Sequence, residues 1–216
     1  MHGISATADS LRKISTYRRD QEIYGRFDAT EHWYCILSGA ARKCSLTTDG
    51  RRRIIDFLLP GDFFGFRARH LEFFAAEAIT GGTVVARYPR HSLEIAADSD
   101  PLLGRHIREI TFEAIARSQA RLLILGGVTA LDKVGAFLIE MTDRSFDRTD
   151  QTVVLPMSRY DIADYLAVSV ETVSRALTEF KKCGAIRYVS TRRIHILKRG
   201  LLESGMCGDR VVRQTH

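Results

Sequence analysis

Glu171, Ser174 and Arg175 stand at i, i+3 and i+4 in the run VETVSRAL, which brings three polar side chains to one side of a helix. Their chemistry suits the edge of a base pair. A guanidinium gives a fork of two hydrogen bonds to guanine O6 and N7, a carboxylate accepts from cytosine N4, and a hydroxyl serves several edges. A carboxylate turned toward a polyanion is otherwise repelled by it, so Glu171 beside Arg175 favours base reading over plain adhesion. The competing reading is a solvated face with an i, i+4 Glu–Arg pair, worth only about 0.2–0.5 kcal/mol.

Positioning these groups is the task of the stretch Met157 to Ile186, MSRYDIADYLAVSVETVSRALTEFKKCGAI, which reads as two short helices joined by a tight turn. Ser158 is a natural N-cap, with Asp161 in the first turn where a carboxylate suits the helix dipole. Ile162, Ala163 and Leu166 give the first helix an apolar face. Ser169 caps the second, whose Val173, Leu177 and Phe180 fall on a buried stripe, and Gly184 closes it. This is the layout of a helix-turn-helix whose second helix enters the major groove by its N-terminal end.

Charge supports that reading. Across its 216 residues the chain carries a net charge of +6, and between Arg175 and Arg199 there are eight Lys or Arg against a single acid, Glu179. Such a local excess is what phosphate neutralisation needs. Ser158, Arg159, Ser169, Thr172, Lys181, Arg192 and Arg193 are the candidates for phosphate contacts, which position without specifying. With 27% charged and 45% hydrophobic residues the composition is that of an ordinary globular protein. Cys35, Cys44, Cys183 and Cys207 form no C-x-x-C pair, so neither zinc nor an iron–sulfur cluster is indicated. The seven histidines show no H-x-H or H-x-x-x-H spacing, so no metal or other cofactor is expected. With no signal-like N-terminus and no apolar run of membrane-spanning length, a cytoplasmic location with reduced thiols is expected and no membrane partner. Cys183, next to Lys181 and Lys182, is the candidate for redox regulation, since nearby cations lower a thiol's pKa.

The stretch MSRYDIADYLAVSVETVSRAL resembles the Crp/Fnr family of bacterial transcription regulators, and E-x-x-S-R at Glu171, Ser174 and Arg175 is the signature of its Fnr and FixK branches. The resemblance implies that Arg175 and Glu171 read the G·C pair of a TTGA-type half-site, with Ser174 against a neighbouring T. It also implies control of low-oxygen or nitrogen-metabolism genes, most simply as an activator contacting RNA polymerase.

Upstream, residues 1–20 read as an ill-defined polar arm with a short helix near Asp9–Ile14. The Fnr branch holds an iron–sulfur cluster on N-terminal cysteines, and this arm has none. Residues 21–100 carry short β-branched and aromatic runs punctuated by Asp49-Gly50 and Pro60-Gly61-Asp62, the pattern of a barrel or double-sheet roll. LSGAAR and DGRRRIIDFLLPGDFFG resemble the family's cyclic-nucleotide-binding type β-roll. Members that bind cyclic AMP have a glutamate after the glycine of that turn and an Arg-Ser pair beyond it. Here Phe66 follows Gly65 and the later segment reads HLEFFAAEAI. Phe63, Phe64, Phe66, Phe73 and Phe74 are expected to fill the roll. The cluster Arg67, Arg69 and His70 reads as a solvated loop or domain contact, with binding of an effector as its alternative.

Asp100-Pro101 opens a long helix across residues 101–127 that ends at Gly126-Gly127. Leu103, Ile107, Ile110 and Ala114 form one stripe for the roll. Thr111, Ile115, Ser118, Leu122 and Leu125 form a second, which a two-fold-related twin helix would cover. Residues 128–200 make the C-terminal domain, with a wing formed by strands Ala185–Val189 and Arg193–Leu197, and residues 201–216 read as a mobile tail. The fold expected is thus α+β, with an N-terminal cyclic-nucleotide-binding-type β-roll, a long dimerisation helix and a C-terminal winged helix-turn-helix. The function expected is a homodimeric regulator of double-stranded DNA, not an enzyme. A ligand-gated regulator with an effector in the roll is the alternative, and an enzyme on a cupin-like roll is the competing class.

Overall fold

Short runs rich in β-branched and aromatic residues form strands, and the N-terminal half arranges them in two antiparallel sheets whose partners are mostly distant in sequence. The computed structural model describes residues 6–25, 31–46, 52–66, 74–144 and 151–205. The chain divides into two units, Met1–Ser118 and Gln119–His216. In the first, α1 (Ala6–Leu11) and β1 (Lys13–Tyr17) precede β2 (Glu22–Tyr24), β3 (His32–Ser38), β4 (Ala41–Leu46) and β5 (Arg52–Leu58). Strands β6 (Phe63–Phe64), β7 (Phe74–Ala78) and β8 (Thr83–Pro89) follow, then α2 (Arg90–Ser99) and α3 (Pro101–Leu125).

The sheets run β1-β8-β3-β6 and β2-β7-β4-β5. Their inner faces share one core: Tyr34, Ile36, Phe64 and Val85 from one meet Ile23, Tyr24, Leu58 and Ala76 from the other. A second cluster joins Trp33, Cys35, Phe63 and Tyr88 to Leu93 of α2 and to Leu103 and Ile110 of α3. The first stripe of the long helix therefore packs on the roll, as its spacing predicts. Asp100 caps α3, its carboxylate accepting from the Leu102 and Leu103 amides at 3.0 and 3.2 Å.

Two boundaries differ from expectation. The arm is not separate, because β1 pairs with β8 from Lys13↔Arg87 to Tyr17↔Thr83, so the roll begins before Gln21. This edge strand is mostly exposed and lacks apolar alternation; backbone hydrogen bonds hold it, and no side-chain pattern announces them. The short helix lies at Ala6–Leu11, upstream of the expected Asp9–Ile14. Asp49-Gly50, Arg67, Arg69, His70 and Phe73 lie outside the described residues. The strands flanking Asp49-Gly50 pair antiparallel, from Ala41↔Leu58 to Leu46↔Arg52. At the other turn Gly61 takes φ +95°, and the Asp62 carboxylate accepts from the Leu59 amide at 2.7 Å.

The second unit begins within α3 and continues with α4 (Ala130–Asp143), β9 (Thr152–Val154), α5 (Arg159–Leu166) and α6 (Val170–Lys182). Strands β10 (Ile186–Ser190) and β11 (Arg193–Ile196) and helix α7 (Arg199–Ser204) complete it, the sheet running β10-β11-β9. Phe137, Leu138 and Met141 of α4, Ile162 and Leu166 of α5, and Val173, Leu177 and Phe180 of α6 are buried. The expected tail also starts too early, since Leu201 to Ser204 are helical and Leu202 is buried. Helix α7 packs on α4, where Arg199 makes a two-pronged ion pair with Asp143 at 2.6 and 2.8 Å. A six-residue helix with one fully buried anchor is too short to show periodicity. Among the described residues, no helix is long and apolar enough to cross a membrane.

Candidate nucleic-acid interface

Helix α5 starts where the sequence places it. The Ser158 hydroxyl accepts from the Asp161 amide at 3.1 Å, and the Asp161 carboxylate accepts from the Ser158 N–H at 2.9 Å and from its hydroxyl at 2.6 Å. This capping box engages both of the donors that Ser158 has. No proton is left for a phosphate, so the contact expected of Ser158 is not carried forward.

The tight turn expected between the two helices is made without a glycine. Ala167 adopts the left-handed conformation, φ 54° and ψ 48°, at the C-cap of α5. The Val168 amide reaches back to the Ala163 carbonyl at 3.0 Å and the Ala167 amide to that of Asp164 at 3.2 Å, the double closure of a Schellman motif. Ser169 then caps α6, accepting from the Thr172 amide at 3.1 Å.

Helix α6 is sharply two-faced. Val173, Ala176, Leu177 and Phe180 are buried, while Glu171 and Arg175 are exposed and Ser174 is half-buried beside them. Ser174, Arg175, Thr178, Glu179 and Lys182 line a shallow depression on the open side. A bond from its own backbone N–H, another with the Ser169 side chain and the charge of Arg175 hold the Glu171 carboxyl below its ordinary value. It is an acceptor throughout the neutral range. Arg175 donates to the Thr172 hydroxyl at 3.4 Å, and the Thr172 and Ser169 hydroxyls share a hydrogen bond of 2.9 Å. Arg159, on the first turn of α5, donates to the Ser174 hydroxyl at 3.1 Å.

The candidate phosphate-binding cations flank this face. Lys181 lies exposed on the last turn of α6, and Arg192 and Arg193 lie exposed at the tip of the wing. The wing strands pair from Ile186↔Ile196 to Ser190↔Arg193. Cys183, expected as a free thiol, is disulfide-bonded, whereas Cys35 and Cys44 are free and buried. A disulfide depends on the approach of two Cβ atoms in space, which cysteine spacing along the chain does not reveal.

The roll has a different character. Phe66, in the place where a ribose-binding glutamate would stand, packs edge-on against Trp33, with ring centroids 4.8 Å apart. Arg117 of α3 reaches Asp56 at 3.7 Å and Asp62 at 3.4 Å. Lys43 pairs in register with Asp56 and lies over the Phe74 ring at 4.7 Å. Burial pulls its pKa down, against the pull of Asp56. Among the described residues, Arg117 and Lys43 thus already face carboxylates. Among the described residues, no three His, Cys, Asp or Glu side chains are grouped to hold a metal ion.

On α3, Ile115 and Leu122 of the second stripe are exposed, with Phe112 and Leu123 also exposed beside them. Thr111 and Ser118 satisfy their hydroxyls within the helix, on the carbonyls of Ile107 and Ala114 at 2.8 and 3.1 Å. Leu125 is half-buried. Phe112 and Leu123 were not part of the sequence-derived stripe; a wider apolar face, counted all round the helix, would have included them.

A roll, a long helix with one apolar face uncovered, and a winged helix-turn-helix with an exposed polar face on its second helix define a class of DNA-binding transcription regulator. Residues 14–100 match the cyclic nucleotide-binding domain and residues 132–204 the Crp-like helix-turn-helix domain. The chain belongs to the Crp/Fnr family, in its FixK-like branch. It is 39% identical over 196 residues to the nitrogen fixation regulation protein FixK of Azorhizobium caulinodans, spanning 89% of this chain and 79% of that protein. With FixK of Rhizobium meliloti the identity is 36% over 193 residues, spanning 89% of this chain and 87% of that protein. The structure of FixK2 from Bradyrhizobium japonicum superposes with a TM-score of 0.80 at 38% identity, covering 90% of this chain and 96% of that one. These relatives are regulators rather than enzymes.

Proposed function

We propose that the chain acts in the cytoplasm as a homodimeric activator that reads an inverted repeat of the form TTGA…TCAA and contacts RNA polymerase. Its regulated genes serve low-oxygen respiration or nitrogen metabolism, the second of which the names of the FixK relatives support. The observation that carries this reading is the reading face of α6: Arg175, Ser174 and an ionised Glu171 project from a helix whose other side is buried. In this assignment Arg175 forks onto guanine, Glu171 accepts from cytosine N4 of the same pair, and Ser174 meets a neighbouring thymine. Arg159, Ser169, Thr172, Lys181, Arg192 and Arg193 hold phosphates.

Dimerisation follows from α3. Thr111, Ile115, Ser118, Leu122 and Leu125 recur at 4-3-4-3 spacing, the seam of a two-stranded coiled coil. The two hydroxyls on that seam are already bonded within the helix, so a partner covers them at little desolvation cost. Two-fold symmetry then presents the recognition helices about 34–36 Å apart. Selection of sites from random duplexes tests the reading, with Arg175→Ala as the key variant. It is expected to weaken the selected site by about 1–3 kcal/mol and to relax choice at one base pair. Equal loss on selected and scrambled duplexes would overturn the assignment.

A further inference from the structure

We infer that Arg159, through its hydrogen bond to Ser174, occupies one lone pair of the Ser174 hydroxyl and so biases it toward donating to the base it reads. The inference rests on the base-reading role proposed for α6 and deepens it. A serine hydroxyl has one proton and two lone pairs, whereas a guanidinium donates only. Because Arg159 donates to Ser174 Oγ at 3.1 Å, the hydroxyl is an acceptor in that contact and its own proton must point elsewhere.

The usual outlet for that proton is the carbonyl one turn back. Thr111, Ser118, Thr142 and Thr178 all take it, on the carbonyls of Ile107, Ala114, Leu138 and Ser174 at 2.8–3.1 Å. Ser174 does not: among the described residues its hydroxyl makes only the bond from Arg159. The proton is therefore left for the open side of α6, where Ser174 and Arg175 line the same depression. With one lone pair taken by Arg159 and the proton turned away from the guanidinium, the hydroxyl favours thymine O4, guanine O6 or a purine N7 over the amino groups of cytosine or adenine, which only its second lone pair can meet. A hydroxyl free to rotate would accept either kind of edge.

The guanidinium is well placed for this role. Arg159 stands on the first turn of α5, anchored by the Ser158–Asp161 box. Its charge also reaches Tyr188 on the wing strand, offsetting part of the upward shift that burial gives the phenol. It thus lies between α5, α6 and β10, and acts as a positioning residue rather than one that reads a base itself.

The test compares Arg159→Met, Arg159→Lys, Ser174→Ala and the Met/Ala double variant on duplexes carrying each base pair at each half-site position, over a range of salt. Arg159→Met and Ser174→Ala are expected to lower discrimination at the same single position, each by about fivefold, the worth of one hydrogen bond. The double variant is expected to lose no more than either alone, and Arg159→Lys is expected to restore overall affinity without restoring that position. If Arg159→Met weakens all duplexes equally and reduces the salt slope while discrimination stays intact, Arg159 only holds a phosphate and the proposal fails. Arg175→Ala separates the two levels. If it relaxes its own base pair while Arg159→Met relaxes none, only this inference falls; if it relaxes none, the base-reading role falls with it.

Discussion

Ala167→Gly is expected to stabilise the helix-turn-helix without touching DNA. Ala167 sits at φ 54° and ψ 48°, where a Cβ crowds the following carbonyl at a cost of about 1–2 kcal/mol. Glycine removes that cost but adds freedom to the unfolded chain, which returns about 0.4–1 kcal/mol. Ala167 is exposed, so the lost methyl group takes no packing with it. The net gain is about 0.5–1 kcal/mol, the difference of those two contributions. Urea titration followed by circular dichroism measures it, with Ala167→Val as the opposing variant. Valine keeps the crowding and adds a branched side chain in a region it rarely enters, so it is expected to lower the midpoint. DNA affinity of the glycine variant is expected to stay at or slightly above the parent's, because the turn only sets the approach of α5 to α6. A lower midpoint for glycine than for alanine would refute the argument from backbone conformation.

Three other outcomes follow from the same structure. Leu122→Glu puts a charge on an apolar seam twice by symmetry, and loses about 3–6 kcal/mol of dimer stability at 1.5–3 kcal/mol per leucine. Sedimentation should then find 24.4 kDa particles rather than twice that mass. Gly135→Ala drives a Cβ into the Leu202 carbonyl where α7 meets α4, and should lower stability by about 1–3 kcal/mol in thermal melts. Burial pushes the Cys35 thiol from 9.0 up to about 12, so the folded state keeps a proton that the unfolded state gives up above pH 9. The stability this supplies is complete below pH 9.0 and is lost as pH rises toward 12, by at most about 1.4 kcal/mol per pH unit. Cys35→Ala should remove that share of the alkaline decline, seen as a difference between the two proteins in urea midpoints.

The exposed polar face of α6 could be recognised from the sequence because local rules govern it. Cap, i+3 and i+4 spacing and a buried stripe are all encoded within thirty residues, and α5 and α6 form where Ser158 and Ser169 announce them. The same holds for the start of α3 at Asp100-Pro101 and for the strand pairing of the wing. Edge strand β1 and helix α7 were missed for a common reason. Each is held by partners far along the chain, β8 and α4, and neither carries enough apolar periodicity to reveal them.

What the sequence alone determined was which residues share a helix face, since helical geometry turns spacing into direction without reference to the rest of the fold. Only the tertiary structure decided how those side chains are spent. It committed both donors of Ser158 to Asp161, paired Arg117 with Asp56 and Asp62, and joined Arg159 to Ser174 across fifteen residues. Hydrogen bonds and ion pairs act over a few ångströms of space, whatever the separation along the chain.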